Sequence, residues 1–341
     1  MSDELFELQD SIRPVLEAAG PAADLETAWT HAVELGWLMT AASEELGGLG
    51  LGLASMVLVA AESGRMVSPS PTVSALTAID VLAHIQNAER VESLMSGAMM
   101  AVPLADSAIE LASDLLTGTA DALPCMDRAD AMLLWTTDHA MVCVVPTSVA
   151  GLEIIPTPTW DETRSLSRVA LSAIAVSSVE VIATGERAQH LIARLLSLRD
   201  VLLAADAIGV ANGLLATTIE HLSVRYQFGR PLAMFQALKH RVADLRTQLS
   251  GAEALLETTV ALIEADLSSS DATQATMKAC YMATEVCASV AEEGLQLHGG
   301  IGMAAEHVCH LYLKRAMLNQ QLGRQQGDYA ADIADGFIAA C

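Results

Sequence analysis

Basic residues are scarce in this chain of 341 residues: 18 Lys and Arg stand against 42 Asp and Glu, for a net charge of −24. So acidic a surface repels nucleic acid and anionic membrane, and neither is expected as a partner. Any anionic ligand would need a local basic patch. Cysteine pairing is missing too. Cys125, Cys143, Cys280, Cys287, Cys309 and Cys341 form no CxxC and have no histidine at zinc-ligand spacing, so reduced thiols in a cytoplasmic protein are expected. Cys280 and Cys287, two helical turns apart, read as small core residues. The opening Met1-Ser2-Asp3-Glu4 puts acid where a secretory leader needs base. No uncharged apolar run reaches membrane-spanning length, because Asp200 and Asp206 interrupt the 200–216 stretch, so no spanning helix is expected.

What is present is apolar bulk. Apolar residues make up 52% of the chain and mean hydropathy is +0.39, which implies helices buried on more than one side, as when subunits associate. The length allows two or three domains, and the pattern has three regimes. Residues 1–98 are helical in pattern, with turns at 45–52 and 68–71. The glycines of the first turn follow no strand and precede no GK[ST], so they read as a turn and not as a phosphate cradle. Residues 99–185 carry short β runs at Ala131–Trp135, Met141–Val145, Leu152–Ile155 and Val169–Ile182, as in a small sandwich or barrel. From 186 to 341 the 3.6-residue period returns. Phe235, Leu238, Val242, Leu245, Leu249 and Ala252 mark one face of a long helix that ends at 268–271. Asp271 is the expected N-cap of the next helix, and Gly299-Gly300 its stop. The expected class is α+β, mostly α: N-terminal helical domain, small middle β domain, C-terminal four-helix bundle.

Two motifs stand out in the last region. The first is Arg225-Tyr226-Gln227-Phe228-Gly229-Arg230-Pro231, continued by Phe235-Gln236 and Val242-Ala243-Asp244. The second is Gln296-Leu297-His298-Gly299-Gly300-Ile301-Gly302, followed by Glu306-His307 and 311–316. Together, and with the helix–β–helix order, they resemble the C-terminal half of the acyl-CoA dehydrogenase family. These are FAD enzymes that introduce an α,β double bond into a CoA thioester. The resemblance implies that Arg225, Phe228 and Gln236 reach a neighbouring subunit's FAD, and that Gln296, Gly299 and Gly300 form a second such contact. An arginine suits this chemistry because its planar fork can grip a pyrophosphate with two N–H groups. Bare glycine backbone lets a nucleotide approach closely.

The chain departs from the family where the chemistry should be. Removal of the α proton needs a partly desolvated carboxylate. Counting without gaps from Gln296 puts one family position for that base at Gly323, within Leu322-Gly323-Arg324-Gln325-Gln326-Gly327, which has no acid. Counting back from Phe228 puts the other at Arg199, a cation; Asp200 is adjacent but about 100° around a helix. The family's Thr/Ser-rich flavin turn is reduced to Ala101-Val102-Pro103-Leu104-Ala105-Asp106-Ser107, and Trp135 stands in a later strand and reads as core. His298 and His310 read as hydrogen-bonded residues at helix ends, and His221, His240 and His307 show no metal-binding arrangement.

The resemblance therefore implies a base-lacking subunit, similar to one found in bacterial α2β2 enzymes acting on CoA thioesters of steroid side chains. A glutamate-bearing homologue would be the second subunit and would hold the acyl-CoA. Two alternatives stay open: a self-sufficient homomeric dehydrogenase using Asp200 or Glu220 as base, and a catalytically dead chain that only binds or regulates.

Overall fold

The computed structural model describes residues 3–339; Cys341, expected as a reduced thiol, lies outside them. Five helices come first: α1 (Asp3–Ala19), α2 (Leu25–Glu34), α3 (Leu53–Arg65), α4 (Thr72–His84) and α5 (Ala88–Met95). Eight strands follow: β1 (Met100–Ala101), β2 (Ser107–Ala112), β3 (Leu115–Pro124), β4 (Ala131–Trp135), β5 (Met141–Pro146), β6 (Leu152–Thr157), β7 (Leu166–Ala175) and β8 (Glu180–Thr184). The rest is helical apart from one hairpin: α6 (Gly185–Val224), β9 (Tyr226–Gln227), β10 (Arg230–Pro231), α7 (Gln236–Ile263), α8 (Ser270–His298), α9 (Cys309–Asn319) and α10 (Gln326–Ala339).

The long helix α6 organises the molecule. It is apolar on nearly every side between Leu191 and Leu215, and such a helix must be buried all round. By length and composition it could cross a membrane, with hydropathy 1.6 in its most apolar stretch, yet 78% of that stretch is buried inside the protein. It packs on α3 on one side and α8 on the other. At the α3 crossing, a Cβ on Gly64 would overlap the carbonyl of Asp206, and one on Gly209 the carbonyl of Ala61. The two helix backbones touch because neither glycine has a side chain to hold them apart.

The expected apolar face of α7 is present in part: Leu245, Leu249 and Ala252 are buried, whereas Phe235, Leu238 and Val242 are only half-buried near its exposed start. The helix stops at Ile263, earlier than expected. The N-cap of α8 is Ser269, whose hydroxyl accepts from the Ala272 N–H, not Asp271, which lies in the first turn. Gly299 does end α8, with φ +63°.

The β region is two four-stranded sheets, β1-β4-β5-β8 and β2-β3-β7-β6. The single run expected from Val169 to Ile182 is instead two strands, β7 and β8, that belong to different sheets and are separated by a 3₁₀ turn at Val176–Ser178. Both faces of β4 and β5 are covered: one packs on the helices and the other on the second sheet. That is why they read as unbroken apolar runs.

A buried ion network joins the three regions. Arg315 on α9 is fully buried and donates from Nε to Asp161 Oδ2 at 2.5 Å and from Nη2 to the Ser68 carbonyl at 3.1 Å. Arg164 donates to Asp206 Oδ1 at 2.8 Å, and Asn319 Nδ2 to Asp206 Oδ2 at 2.8 Å. The β loop at 161–164, the N-terminal helices, α6 and α9 thus share one set of charges.

Candidate functional site

The six residues assigned to a neighbour's cofactor gather at one end of the bundle. The helices α6 and α8 both finish there, fixed by the stack of His221 on His298 with ring centroids 4.6 Å apart. Arg225 is the C-cap of α6, its backbone N–H bonded to the His221 carbonyl. Its exposed guanidinium has no hydrogen bond or ion pair among the described residues. The next residues fold into the β9–β10 hairpin, with Phe228 at φ +52° and Gly229 at φ +79°. A two-residue turn with both central φ positive is the I′ type that a tight hairpin favours; glycine accepts it freely, and phenylalanine under strain. Phe228 is 91% exposed, its ring edge-on to Phe235 at 6.2 Å, while Arg230 sits over Phe235 at 4.1 Å. Gln236 opens α7 beside this arm, and Gln296, Gly299 and Gly300 are exposed at the end of α8. The φ of Gly299 requires glycine. A Cβ on Gly300 would meet nothing within 4 Å, so no atom of this chain demands glycine there.

The second candidate region is a cleft between the β sheets and the helices, with a volume of about 400 Å³ in round terms (390 Å³), lined by Trp135, Arg199, Asp200, Met277 and Arg324 among others. Trp135 is core, as expected, but it is also a wall of this cleft. Arg199, one of the two family positions for the base, lines this cleft, and Gly323, the other, adjoins its lining residues Asp200 and Arg324. Arg199 is 1% exposed and donates from Nε to Asp200 Oδ1 at 3.0 Å and from Nη1 to Asp106 Oδ1 at 3.4 Å. Burial works against its charge, but the carboxylates beside it hold its pKa above the ordinary value. Gly323 has φ +73° and donates its N–H to the Leu104 carbonyl at 2.5 Å, pairing with the remnant of the flavin turn. A Cβ at Gly323 would overlap the Tyr329 hydroxyl and lie 3.6 Å from Asp200 Oδ1.

Asp200 itself is buried, and burial raises its carboxyl above the usual range even though Arg199 and Tyr329 pull it down. Glu220 is exposed near the far end of α6, about 30 Å along the helix from Arg199 at 1.5 Å per residue. No carboxylate there can serve this cleft, and Glu220 is withdrawn as a candidate base.

Of His221, His240 and His307, whose spacing shows no metal-binding arrangement, the structure brings the first and last together beside His298. His221, His298 and His307 come from the ends of two helices and the loop after α8, and their ligand nitrogens all lie within 4.8 Å of one another. Separations of 77 and 9 residues along the chain match no sequence spacing that would betray a site. Burial lowers the pKa of His221 and of His298 below the ordinary imidazole value. His240 is exposed and lies outside this group, and His310 bonds from Nδ1 to the His307 carbonyl at 2.6 Å, as a helix-end residue should.

Residues 7–91 match the family model for the acyl-CoA dehydrogenase N-terminal domain, and residues 189–323 match that for the C-terminal domain. The chain is 30% identical over 279 residues to acyl-CoA dehydrogenase IpdE2 of Mycolicibacterium smegmatis, covering 82% of this chain and 77% of the relative. It is 31% identical over 281 residues to IpdE2 of Mycobacterium tuberculosis, covering 82% and 76%. Among solved structures, the Tcur3481-Tcur3483 steroid ACAD G363A variant superposes with a TM-score of 0.86 at 25% identity, covering 99% of both chains. The ChsE4-ChsE5 complex of Mycobacterium tuberculosis gives a TM-score of 0.86 at 22% identity, with 99% of this chain and 98% of that one covered.

Proposed function

This chain belongs to the acyl-CoA dehydrogenase family, whose cofactor is FAD, and we propose that within it the chain is the base-lacking subunit of a heteromer. One observation carries the reading: the arm and the cleft are too far apart to hold the same ligand, and only the arm is intact. Arg225 lies about 39 Å along α6 from Arg199 at 1.5 Å per residue. An unpaired guanidinium, an outward phenylalanine held in a strained turn and two exposed glycines therefore serve a site on another chain. A strained residue in an exposed turn, as Phe228 is, points to a job for its side chain. The two positions where the family resemblance places a base are Arg199, on the wall of the cleft, and Gly323, beside Asp200.

In this reading Arg225 would hold the pyrophosphate of the sister's FAD through its guanidinium, with Phe228, Gln236 and the Gln296–Gly300 segment as the other contacts to that nucleotide. The bound flavin would supply the hydride acceptor for the β carbon of the acyl group. The sister chain supplies the carboxylate that takes the α proton. The solved relative that is a two-component steroid ACAD by name supports a steroid CoA thioester as the substrate. The apolar residues around the arm, Val224, Tyr226, Met234 and Met303, are all more than half exposed and give the sister a surface to cover.

The test is co-expression with a glutamate-bearing homologue, with mass and flavin measured on the purified assembly. A heterotetramer with about one FAD per two chains is expected, and Arg225→Ala should lose flavin on dialysis while the assembly persists. A stable homotetramer with one FAD per chain would end the proposal.

A second reading, a homomer with Asp200 as base, is favoured by the burial that raises the Asp200 carboxyl in the cleft. Its carboxylate oxygen is committed to Arg199, which argues against it. Asp200→Asn is expected to lower stability, since Arg199 loses its partner, while the rate per folded complex stays within a few-fold. A loss of about 10²–10⁴, typical of a missing general base, would transfer the chemistry to this chain.

A further inference from the structure

The histidine cluster at the arm end of the bundle has no part in flavin binding or proton transfer as described above. We propose that His221, His298 and His307 form a zinc site. The ring centroids are 4.6, 4.8 and 6.4 Å apart. Four-coordinate zinc holds imidazole nitrogens at about 2.0–2.1 Å, which places them roughly 3.4 Å from one another. The nitrogens here, within 4.8 Å of one another, reach that spacing through side-chain shifts on the order of 1 Å.

His298 is the ligand that fixes the site. Its Nδ1 lies 2.8 Å from the Gly294 carbonyl and so carries the proton, leaving the lone pair on Nε2. That nitrogen is buried, in a residue 5% exposed, and has no partner. Buried polar atoms are nearly always satisfied, and a lone pair enclosed beside two other imidazoles is what a metal would satisfy. A backbone carbonyl on the far nitrogen of a metal-bound histidine is the usual second support.

His221 has no side-chain hydrogen bond among the described residues and is free to turn towards the metal. His307 accepts the Cys309 N–H on Nδ1 at 3.2 Å, and this long bond is the one contact that metal entry breaks. An all-imidazole set without a carboxylate selects zinc over magnesium and calcium, which require oxygen. Three protein ligands leave a fourth position open. The metal would tie the ends of α6 and α8 to the loop at 299–308, and so stiffen the surface that carries Arg225, Gly299 and Gly300.

The purified full chain, in the assembly it forms, is stripped with chelator and titrated with ZnCl2 by calorimetry in excess Mg2+, which occupies acidic surface sites. One zinc per chain is expected, with Kd of about 1 µM or tighter, and zinc should raise the melting temperature. His221→Ala removes a half-exposed ligand that makes no side-chain hydrogen bond among the described residues, together with its ring stack on His298. It should weaken binding at least tenfold and abolish the thermal shift, and His298→Gln should do the same. Absence of a magnesium-resistant site, or binding unchanged in His221→Ala, would overturn the proposal. Either result concerns the metal alone and leaves the subunit composition and flavin count of the heteromer as a separate test of the other reading.

Discussion

Replacing Gly323 by glutamate is expected to damage the cleft and to create no second active site. The position invites the experiment, because the count from Gln296 places the family's carboxylate there. The structure refuses it on two independent grounds. Gly323 has φ +73°, which costs a residue with a Cβ about 1–2 kcal/mol. The new Cβ would also overlap the Tyr329 hydroxyl, which accepts the Arg324 N–H at 3.1 Å and is packed in the core, and such overpacking costs about 1–3 kcal/mol. Together the variant should lose about 2–5 kcal/mol of stability. Desaturation of an acyl-CoA by the complex should not increase. A normal melting temperature with a rise in activity would mean that the cleft accepts a base, and that the departure from the family is one residue deep.

Breaking the Asp161–Arg315 pair should have the largest effect on folding. Both side chains are fully buried, and removing one partner of such a pair costs about 3–5 kcal/mol because the other is left charged and dry. Asp161→Asn should therefore shift the urea midpoint strongly. Adding Arg315→Met should recover part of the loss, since the stranded charge is then gone. The pair also predicts an acid limit. Burial would raise the Asp161 carboxyl, but the Arg315 guanidinium more than offsets it and holds the pKa below the ordinary value of 3.8. A depressed carboxylate contributes fully above its unfolded pKa and loses that contribution as pH falls through the folded one. The wild-type protein should therefore lose stability as pH drops below about 4, more steeply than Asp161→Asn does. Equal slopes in the two proteins would show that Asp161 is not part of the acid response.

Local chemistry alone determined much of what was read from the sequence. The strands β4 and β5 were legible because four or five apolar residues in a row leave a buried strand little alternative. Leu245, Leu249 and Ala252 revealed their helix face because the 3.6-residue period needs only neighbours a turn away. Gly299 stopped α8 because only glycine takes its positive φ cheaply. The arm was legible as a motif, and Phe228-Gly229 as its turn follows from the I′ geometry. In contrast, β2 and β3 were not legible: Ser107–Ala112 and Leu115–Pro124 mix Ala and Leu with Asp, Glu and Gly in no clear alternation, and their pairing comes from each other and from β7, not from their own pattern.

The rest depended on residues far apart in the chain. Arg315 meets Asp161 across 154 residues, and His221 meets His298 across 77. No window of sequence contains both members of either pair. Asp200 could be seen beside Arg199 in the sequence, but its desolvation and its engagement are set by the packing of α6 against α8 and α10. The sequence by itself determined most of the elements and the order of the regions, because those depend on backbone preference and short-range period, and it marked the arm only through its resemblance to a family. Only the tertiary structure decided which charges are buried together, where the cleft lies and that the arm and the ends of α6 and α8 share one end of the bundle, because burial and long-range contact set the electrostatics of each group.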